Sequence, residues 1–218
     1  MNIQDWILYE DQHIIVCRKE AGVAVQTARM SQMDMESALK NYLAVKDSGK
    51  MPYLAVIHRL DQPVRGVLVF AKTPFAAKEL SRQVTDHTIG KYYLAEVEGV
   101  IPADSGTLED FLLKDGRTNT SKVVDAKTKD AKKAVLHYKK RDDHTIEIEL
   151  VTGRHHQIRV QCAHAGMPLK GDTKYNPGAK IGEQLGLCAY HLVLKHPKTG
   201  KCMEFFYDIG NSYGFPIS

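Results

Sequence analysis

The chain has 218 residues, 43% hydrophobic and 26% charged, ordinary globular values with core enough for one domain, in one lobe or two. No apolar run is long enough to span a bilayer, and Met1-Asn2-Ile3-Gln4-Asp5-Trp6 lacks the basic-then-apolar layout of a signal peptide, so residence in the cytoplasm is expected. The net charge of +4 is uneven: Lys114 to Arg141 holds ten Lys or Arg and three Asp, leaving the rest slightly acidic, which fits a polyanion partner or a solvated lysine-rich hairpin.

In chain order, Ile7 to Tyr9 and His13 to Lys19 are predicted strands around a Glu10-Asp11-Gln12 turn. Asp34 to Lys46 has helical spacing, with Met35, Leu39, Tyr42 and Leu43 on one face, Asp34 as N-cap, and Gly49 then Pro52 closing the element. Leu54 to Arg59 and Gly66 to Lys72 read as strands flanking a loop. Thr73-Pro74 opens a helix whose buried stripe is expected at Ala77, Leu80 and Val84. Lys91 to Val100 alternates as a strand. Ala134 to Lys140 and His144 to Thr152 pair most simply as a hairpin across Asp142-Asp143, burying Ile146, Ile148 and Leu150. Gly153 to Ala165 switches to helical spacing and stops at Gly166. Two last strands, Ala189 to Lys195 and Met203 to Asp208, are joined through His196-Pro197. The sum is an α+β chain with a mainly antiparallel sheet, read as a single catalytic domain over residues 1–218.

Two segments carry chemistry. Ile57-His58-Arg59-Leu60-Asp61-Gln62-Pro63 separates two apolar runs, and Pro63 and Gly66 turn the chain so that Asp61 projects from a rigid frame. Alone, such an aspartate is more often a turn residue. The second segment is Thr152-Gly153-Arg154-His155-His156-Gln157-Ile158-Arg159, where a strand ends, a glycine turns and a helix begins among polar residues. Free helix N–H groups with arginines there can hold a phosphate. A metal site is disfavoured, because His155 and His156 are adjacent and no HExxH pattern exists. The absence of a GxSxG elbow argues against a serine hydrolase. Cys17, Cys162, Cys188 and Cys202 form no CxxC pair, so free thiols are expected rather than a disulfide framework or zinc centre.

Taken together, these runs resemble the RluA-type pseudouridine synthases. The likeness lies in His58-Arg59-Leu60-Asp61 with Gly66 and Ala71-Lys72, in Lys91-Tyr92-Tyr93-Leu94-Ala95 with Gly99, and in Thr152 to Arg159. It continues in Gly166-Met167-Pro168-Leu169-Lys170-Gly171-Asp172 with Tyr175, in the opening Tyr9-Glu10-Asp11 through Ala21-Gly22, and in the closing His196-Pro197. The resemblance implies a pseudouridine-synthase fold, a mixed, mostly antiparallel sheet in two halves with flanking helices and a central cleft. It implies isomerisation of uridines in rRNA or tRNA by base flipping, with neither metal nor organic cofactor. Asp61 is then the nucleophile or its equivalent, Tyr93 the surface that stacks on uracil, and Arg159 the partner of Asp61. Arg59 would steady the space left by the flipped nucleotide. His58, Leu60, Arg65, Lys91, Arg154, His155, Gln157 and Ile158 are the expected substrate-contacting or shaping residues.

The chain departs from the family pattern at Val64-Arg65, where Thr-Ser is frequent, and at Cys188, where histidine is frequent. There is no room before Ile7 for an S4 RNA-binding domain, so RNA affinity is expected from this domain, including the Lys114–Arg141 tract. No membrane contact, no obligate protein partner and a monomeric state are expected. The competing readings are a catalytically silent RNA-binding relative and a metal-dependent hydrolase.

Overall fold

A tight turn at Asp11 begins the fold. One Asp11 carboxylate oxygen accepts from the His13 and Ile14 amides at 2.7 and 2.8 Å, which turns the chain back on itself after one short strand. The computed structural model describes residues 3–27, 33–46 and 51–208. In chain order the elements are β1 (Ile7–Glu10), β2 (Ile14–Lys19), α1 (Met35–Lys46), β3 (Ala55–Val56), β4 (Arg65–Ala71) and α2 (Pro74–Thr85). Then come β5 (Gly90–Glu96), β6 (Ser105–Asp115), β7 (Thr120–Val124), β8 (Lys132–Lys140), β9 (Thr145–Leu150) and α3 (Gln157–His164). The last strands are β10 (Leu187–Lys195) and β11 (Cys202–Phe206). Contacts group the chain into two units, one holding the residues up to Ile89 and those from Ala189 onward, the other Gly90–Cys188.

In the first unit, β2 is an inner strand, between β1 and β4. It pairs antiparallel with β1 and, from Ile14↔Ala71 to Lys19↔Gly66, with β4. Ile14 to Cys17 are wholly buried, as a strand covered on both faces must be. Strand β11 pairs antiparallel with β10, and β3 with β4. Helix α1 packs Met35, Leu39 and Leu43 inward, and the Asp34 carboxylate caps it by accepting from Ser37 N at 2.8 Å. Thr73 caps α2 through Ala76 N at 3.1 Å, with Pro74 at the first helical position. Both caps were predicted; Gly49, the predicted stop of α1, lies outside the described residues.

The second unit is an antiparallel sheet in the order β5-β9-β8-β6-β7, with hairpins β6–β7 and β8–β9. The predicted hairpin is β8–β9, with Tyr138↔Ile148 and Lys140↔Ile146 in register. Ile146, Ile148 and Leu150 are buried in it. Helix α3 ends at His164 with Ala165 as its C-cap, and Gly166 follows at φ +78°, which suits a residue without a side chain.

Four expectations need correction. The strand predicted over Leu54–Arg59 shrinks to Ala55–Val56, because residues 57–64 leave the ladder to form the loop around Asp61. The buried stripe of α2 is Ala76, Leu80 and Gln83, one position off the apolar pattern. Gln83 takes an inside place because its amide bonds the Lys195 backbone twice, donating to O at 2.7 Å and accepting from N at 2.9 Å. Helix α3 begins at Gln157 rather than Gly153, since His156 sits at φ +53° and cannot continue a right-handed helix backwards. Finally, β6 and β7 fill a stretch to which the sequence pattern assigned no strand; β6 is half exposed along most of its length, so its alternation is diluted.

The Asp11 turn also holds the far end of this unit: its second carboxylate oxygen accepts from His196 Nε2 at 2.8 Å and from the Tyr9 hydroxyl at 3.1 Å. Burial raises the Asp11 pKa, but the bonds from Ile14, His13, His196 and Tyr9 outweigh it and hold the group below the usual carboxylate range. A carboxylate with a depressed folded pKa stabilises the protein above its unfolded pKa of about 3.9 and loses that contribution as pH falls. Asp11→Ala is therefore expected to lower unfolding free energy by about 1–3 kcal/mol at neutral pH, measured in urea, and the gap to wild type should narrow below about pH 4.

Candidate active site

The Asp61 loop is fixed from beneath by a buried charge. Lys19, at the end of β2, is 0% exposed, and its ammonium donates to the carbonyls of Glu20 (3.1 Å), Gln62 (2.9 Å) and Val64 (2.6 Å). Two of those carbonyls flank Asp61 by one and three residues. The Gln62 carbonyl also accepts from Gly22 N at 2.9 Å, and the Gln62 side chain donates back to Gly22 O at 2.9 Å. Val64 N closes the turn on Asp61 O at 2.9 Å. Asp61 stands half-buried on this turn, while Leu60 and Val64 on either side are buried at 6% and 2% exposure.

Burial pushes the Lys19 pKa down to about 8, with the Asp61 and Glu20 carboxylates pulling it back up. The sequence reading missed this lysine. The signal was present: along β2, Ile15, Cys17 and Lys19 share one face, so a buried row ends in a charge.

Other residues of the segment are placed by the same frame. His58 Nε2 accepts from Val69 N at 3.3 Å, anchoring the loop to β4. Arg59 is exposed and Arg65 half-buried. Gly66 is required by its backbone, with φ +145° and Ala189 O only 2.4 Å from where a Cβ would stand.

In the second unit, Tyr93 lies on β5 at 6% exposure, opposite Ile148 of β9. Lys91, two residues earlier, is 9% exposed; desolvation lowers its pKa, and Arg154 adds to the effect. The turn from β9 into α3 is held by side chains. Gln157 accepts from the Thr152 hydroxyl at 2.7 Å and from Arg154 N at 3.0 Å, and donates to Val135 O at 3.1 Å. Arg154 Nε donates to Lys133 O at 2.8 Å. Gln157 and Ile158, at 2% and 4% exposure, therefore take framework positions.

His155 bonds Ser121 Oγ at 2.9 Å through Nδ1 and Asn119 Oδ1 at 3.1 Å through Nε2. It stacks on His156 with ring centroids 3.8 Å apart. The Tyr175 hydroxyl accepts from Ser121 N and donates to His156 Nδ1, both at 2.7 Å. Desolvation, then the charges of Arg159, His155, Lys174 and Lys114, drive the His156 pKa down to about 3, so the ring is neutral and has one nitrogen able to accept.

Arg159 makes a two-pronged ion pair with Asp172, Nε to Oδ2 at 2.8 Å and Nη2 to Oδ1 at 2.6 Å, with both residues at least 95% buried. Its guanidinium carbon lies 5.3 Å from the Tyr175 ring centroid. The sequence reading quoted Asp172 but did not pair it. Among the described residues no group of three or more His, Cys, Asp or Glu is disposed to hold a metal ion.

Removing the guanidinium would strand the Asp172 carboxylate in a buried place. Arg159→Met is expected to cost about 3–5 kcal/mol of stability by urea unfolding, whatever it does to activity. A variant as stable as wild type would show that the pair contributes nothing to the folded state.

Comparison with known proteins identifies the family. Residues 13–164 match the RNA pseudouridylate synthase family. The chain is 35% identical over 221 residues to a ribosomal large subunit pseudouridine synthase D from Pseudomonas aeruginosa, covering 91% of this chain and 66% of that protein. It is 31% identical over 204 residues to the dual-specificity RNA pseudouridine synthase RluA of Yersinia pestis, covering 91% and 96% respectively. The chain thus spans about two thirds of the first relative and nearly all of the second. The human RNA pseudouridylate synthase domain containing 4 shares the fold, with a TM-score of 0.77 at 20% identity over 97% of this chain and 91% of that one. With a matched segment that includes the Lys19-clasped loop, the Tyr93 strand and the turn into α3, the chain belongs to the RluA-type RNA pseudouridine synthases, a family of isomerases.

Proposed function

We propose that this chain converts uridine to pseudouridine in RNA, ribosomal RNA first among the candidates, with Asp61 as the reacting carboxylate. The observation that carries the reading is the fixed presentation of Asp61, a half-buried acid on a turn whose two neighbouring carbonyls are gripped by one buried ammonium. Preorganisation of that kind suits a group that must meet a reacting atom in one geometry.

The reaction breaks the N1–C1′ bond, turns the base and joins C5 to C1′, with the C5 proton lost and N1 gaining one. Atoms and electrons balance without an oxidant, reductant or co-substrate. Asp61 serves either by attack at the sugar or by removing the C2′ proton, two routes that make the same demand for an oriented anion. The uridine leaves its stack at a cost of a few kcal/mol, about what contacts elsewhere on the RNA can offset. Tyr93 is the proposed stacking surface for the detached base, and Arg159 the proposed guanidinium serving Asp61.

The basic tract supports an RNA partner. Lys114, Arg117, Lys122, Lys127, Lys129 and Lys132 are exposed along β6, β7, β8 and their turns. Lys133, Lys140 and Arg141 are engaged by Glu109, Asp143 and Glu147. A run of exposed cations of this density favours phosphates.

Asp61→Asn is expected to abolish pseudouridine formation while leaving RNA affinity within about twofold, since the exchange removes a charge and little volume. Pseudouridine mapping in ribosomal and transfer RNA from cells lacking the gene, complemented with either protein, reads the outcome. Retained modification by the variant would favour a silent RNA-binding relative.

The buried lysine supplies a pH test. The unfolded chain keeps the Lys19 proton up to its ordinary 10.5, whereas the folded protein releases it near 8, so rising pH across that interval favours folding. A fall in turnover as pH rises through about 8 is therefore expected from loosening of the Asp61 turn and not from unfolding. Lys19→Met should be slower at neutral pH and should lack this alkaline limb. A limb that persists in the variant assigns it to another group.

A further inference from the structure

Lys91 is a buried charge that the framework of the second unit does not account for. It is 9% exposed, yet among the described residues no carboxylate, carbonyl or hydroxyl bonds its ammonium. The charge that acts on it is a second cation, Arg154, which adds to desolvation in lowering its pKa. Lys19 shows what a structural buried lysine looks like in this same chain: three carbonyls meet it, and two carboxylates act on it. A buried ammonium without such partners costs the folded state stability and returns none.

The surroundings of Lys91 are those an anion needs. Arg154 Nε is anchored on Lys133 O at 2.8 Å, while its Nη groups have no partner among the described residues. Gly153, the residue before it, is exposed and is not in a left-handed conformation that would demand glycine. A Cβ there would lie 3.6 Å from Lys91 Nζ and, chain neighbours aside, within 4 Å of no other described atom. The missing side chain thus leaves an opening over the ammonium. Lys91 and Tyr93 share a face of β5, about 6.6–6.8 Å apart along the strand, the reach of one nucleotide from base to phosphate.

We infer that Lys91, Arg154 and the notch at Gly153 form a phosphate site, and that its occupant is the 5′ phosphate of the target uridine. The inference rests on the proposed function and deepens it. A nucleotide whose base lies on Tyr93 is held at its other end by two cations that no carboxylate of the unit engages. Until RNA supplies the counter-charge, the folded chain bears the desolvation of Lys91. Free uracil and uridine lack the phosphate, so the site favours a nucleotide over a nucleoside.

The first test needs no RNA. Urea midpoints of the full chain are measured against inorganic phosphate, with sodium chloride holding the ionic strength constant. Phosphate is expected to raise the wild-type midpoint. Lys91→Met should need about tenfold more phosphate for the same rise, the equivalent of one charge-assisted hydrogen bond. Gly153→Ala keeps both cations, covers the ammonium and should weaken phosphate likewise. In chloride alone, Lys91→Met is expected to be at least as stable as wild type, since it removes an unpaired buried charge. A less stable variant makes Lys91 a structural residue, and equal phosphate protection of all three proteins, or none, removes the site.

The second test uses short RNAs copied from a uridine that wild type converts in total RNA from cells lacking the gene. One linkage at a time, on the 5′ side of the target, carries a neutral methylphosphonate. Each RNA is compared with a phosphate parent bearing the same 2′-O-methyl sugar. The change next to the target is expected to raise the wild-type KM about tenfold and that of Lys91→Met less than about twofold. No loss in wild type, equal losses in both proteins, or coupling to Lys91 at a more distant linkage overturns the assignment of the phosphate. Conversion of no uridine overturns the proposed function and this assignment together, while the phosphate titration still decides the anion site.

Discussion

The contact on which the candidate site depends is an ammonium with no access to water. Taking the Lys19 charge out of solvent is costly, and burial lowers its pKa even against the pull of two carboxylates. Three backbone carbonyls and two nearby carboxylates offset it, and in exchange the turn bearing Asp61 loses its freedom. A hydrophobic residue at position 19 could fill the volume but could not tie two carbonyls, 62 and 64, to the end of β2. The electrostatics also act on the lysine: the cation steadies the loop, and the Asp61 and Glu20 carboxylates raise the lysine's pKa against the effect of burial.

The second unit applies the same device with different groups. There the turn from β9 into α3 is held by the Gln157 amide, the Ser121–Tyr175–His156 chain of bonds and the buried Arg159–Asp172 fork. His156 occupies a left-handed backbone position, and its neutrality lets it accept from Tyr175 in surroundings crowded with cations. Polar groups at this depth are useful because all of their partners are specified, which fixes one arrangement where apolar packing would permit several.

Much of this was legible in the sequence, for reasons that differ by element. The caps Asp34 and Thr73-Pro74 and the β8–β9 hairpin were readable because their signals are local: a side chain reaching three residues on, or an alternation of two. The family was legible from ordered motifs spread along the chain, the same motifs from which the roles of Asp61, Tyr93 and Arg159 are proposed. What escaped was non-local. Gln83 is inside because of Lys195, Lys19 because of Gln62 and Val64, and Asp172 because of Arg159. None of these partners is visible from periodicity, since burial of a polar residue depends on a companion brought in by the fold. The start of α3 was misjudged because helical spacing continues through Arg154 to His156 although the backbone there is turned the other way.

The meeting of Gly66 with Ala189 has an evolutionary corollary. A Cβ at position 66 would fall 2.4 Å from the Ala189 carbonyl oxygen and 2.7 Å from its Cα, as well as 2.5 Å from its Cβ, so no trimming of the side chain at 189 makes room for one at 66. Lineages of this chain should drift among aliphatics at Val67 or Leu68, yet hold glycine at 66 whatever stands at 189.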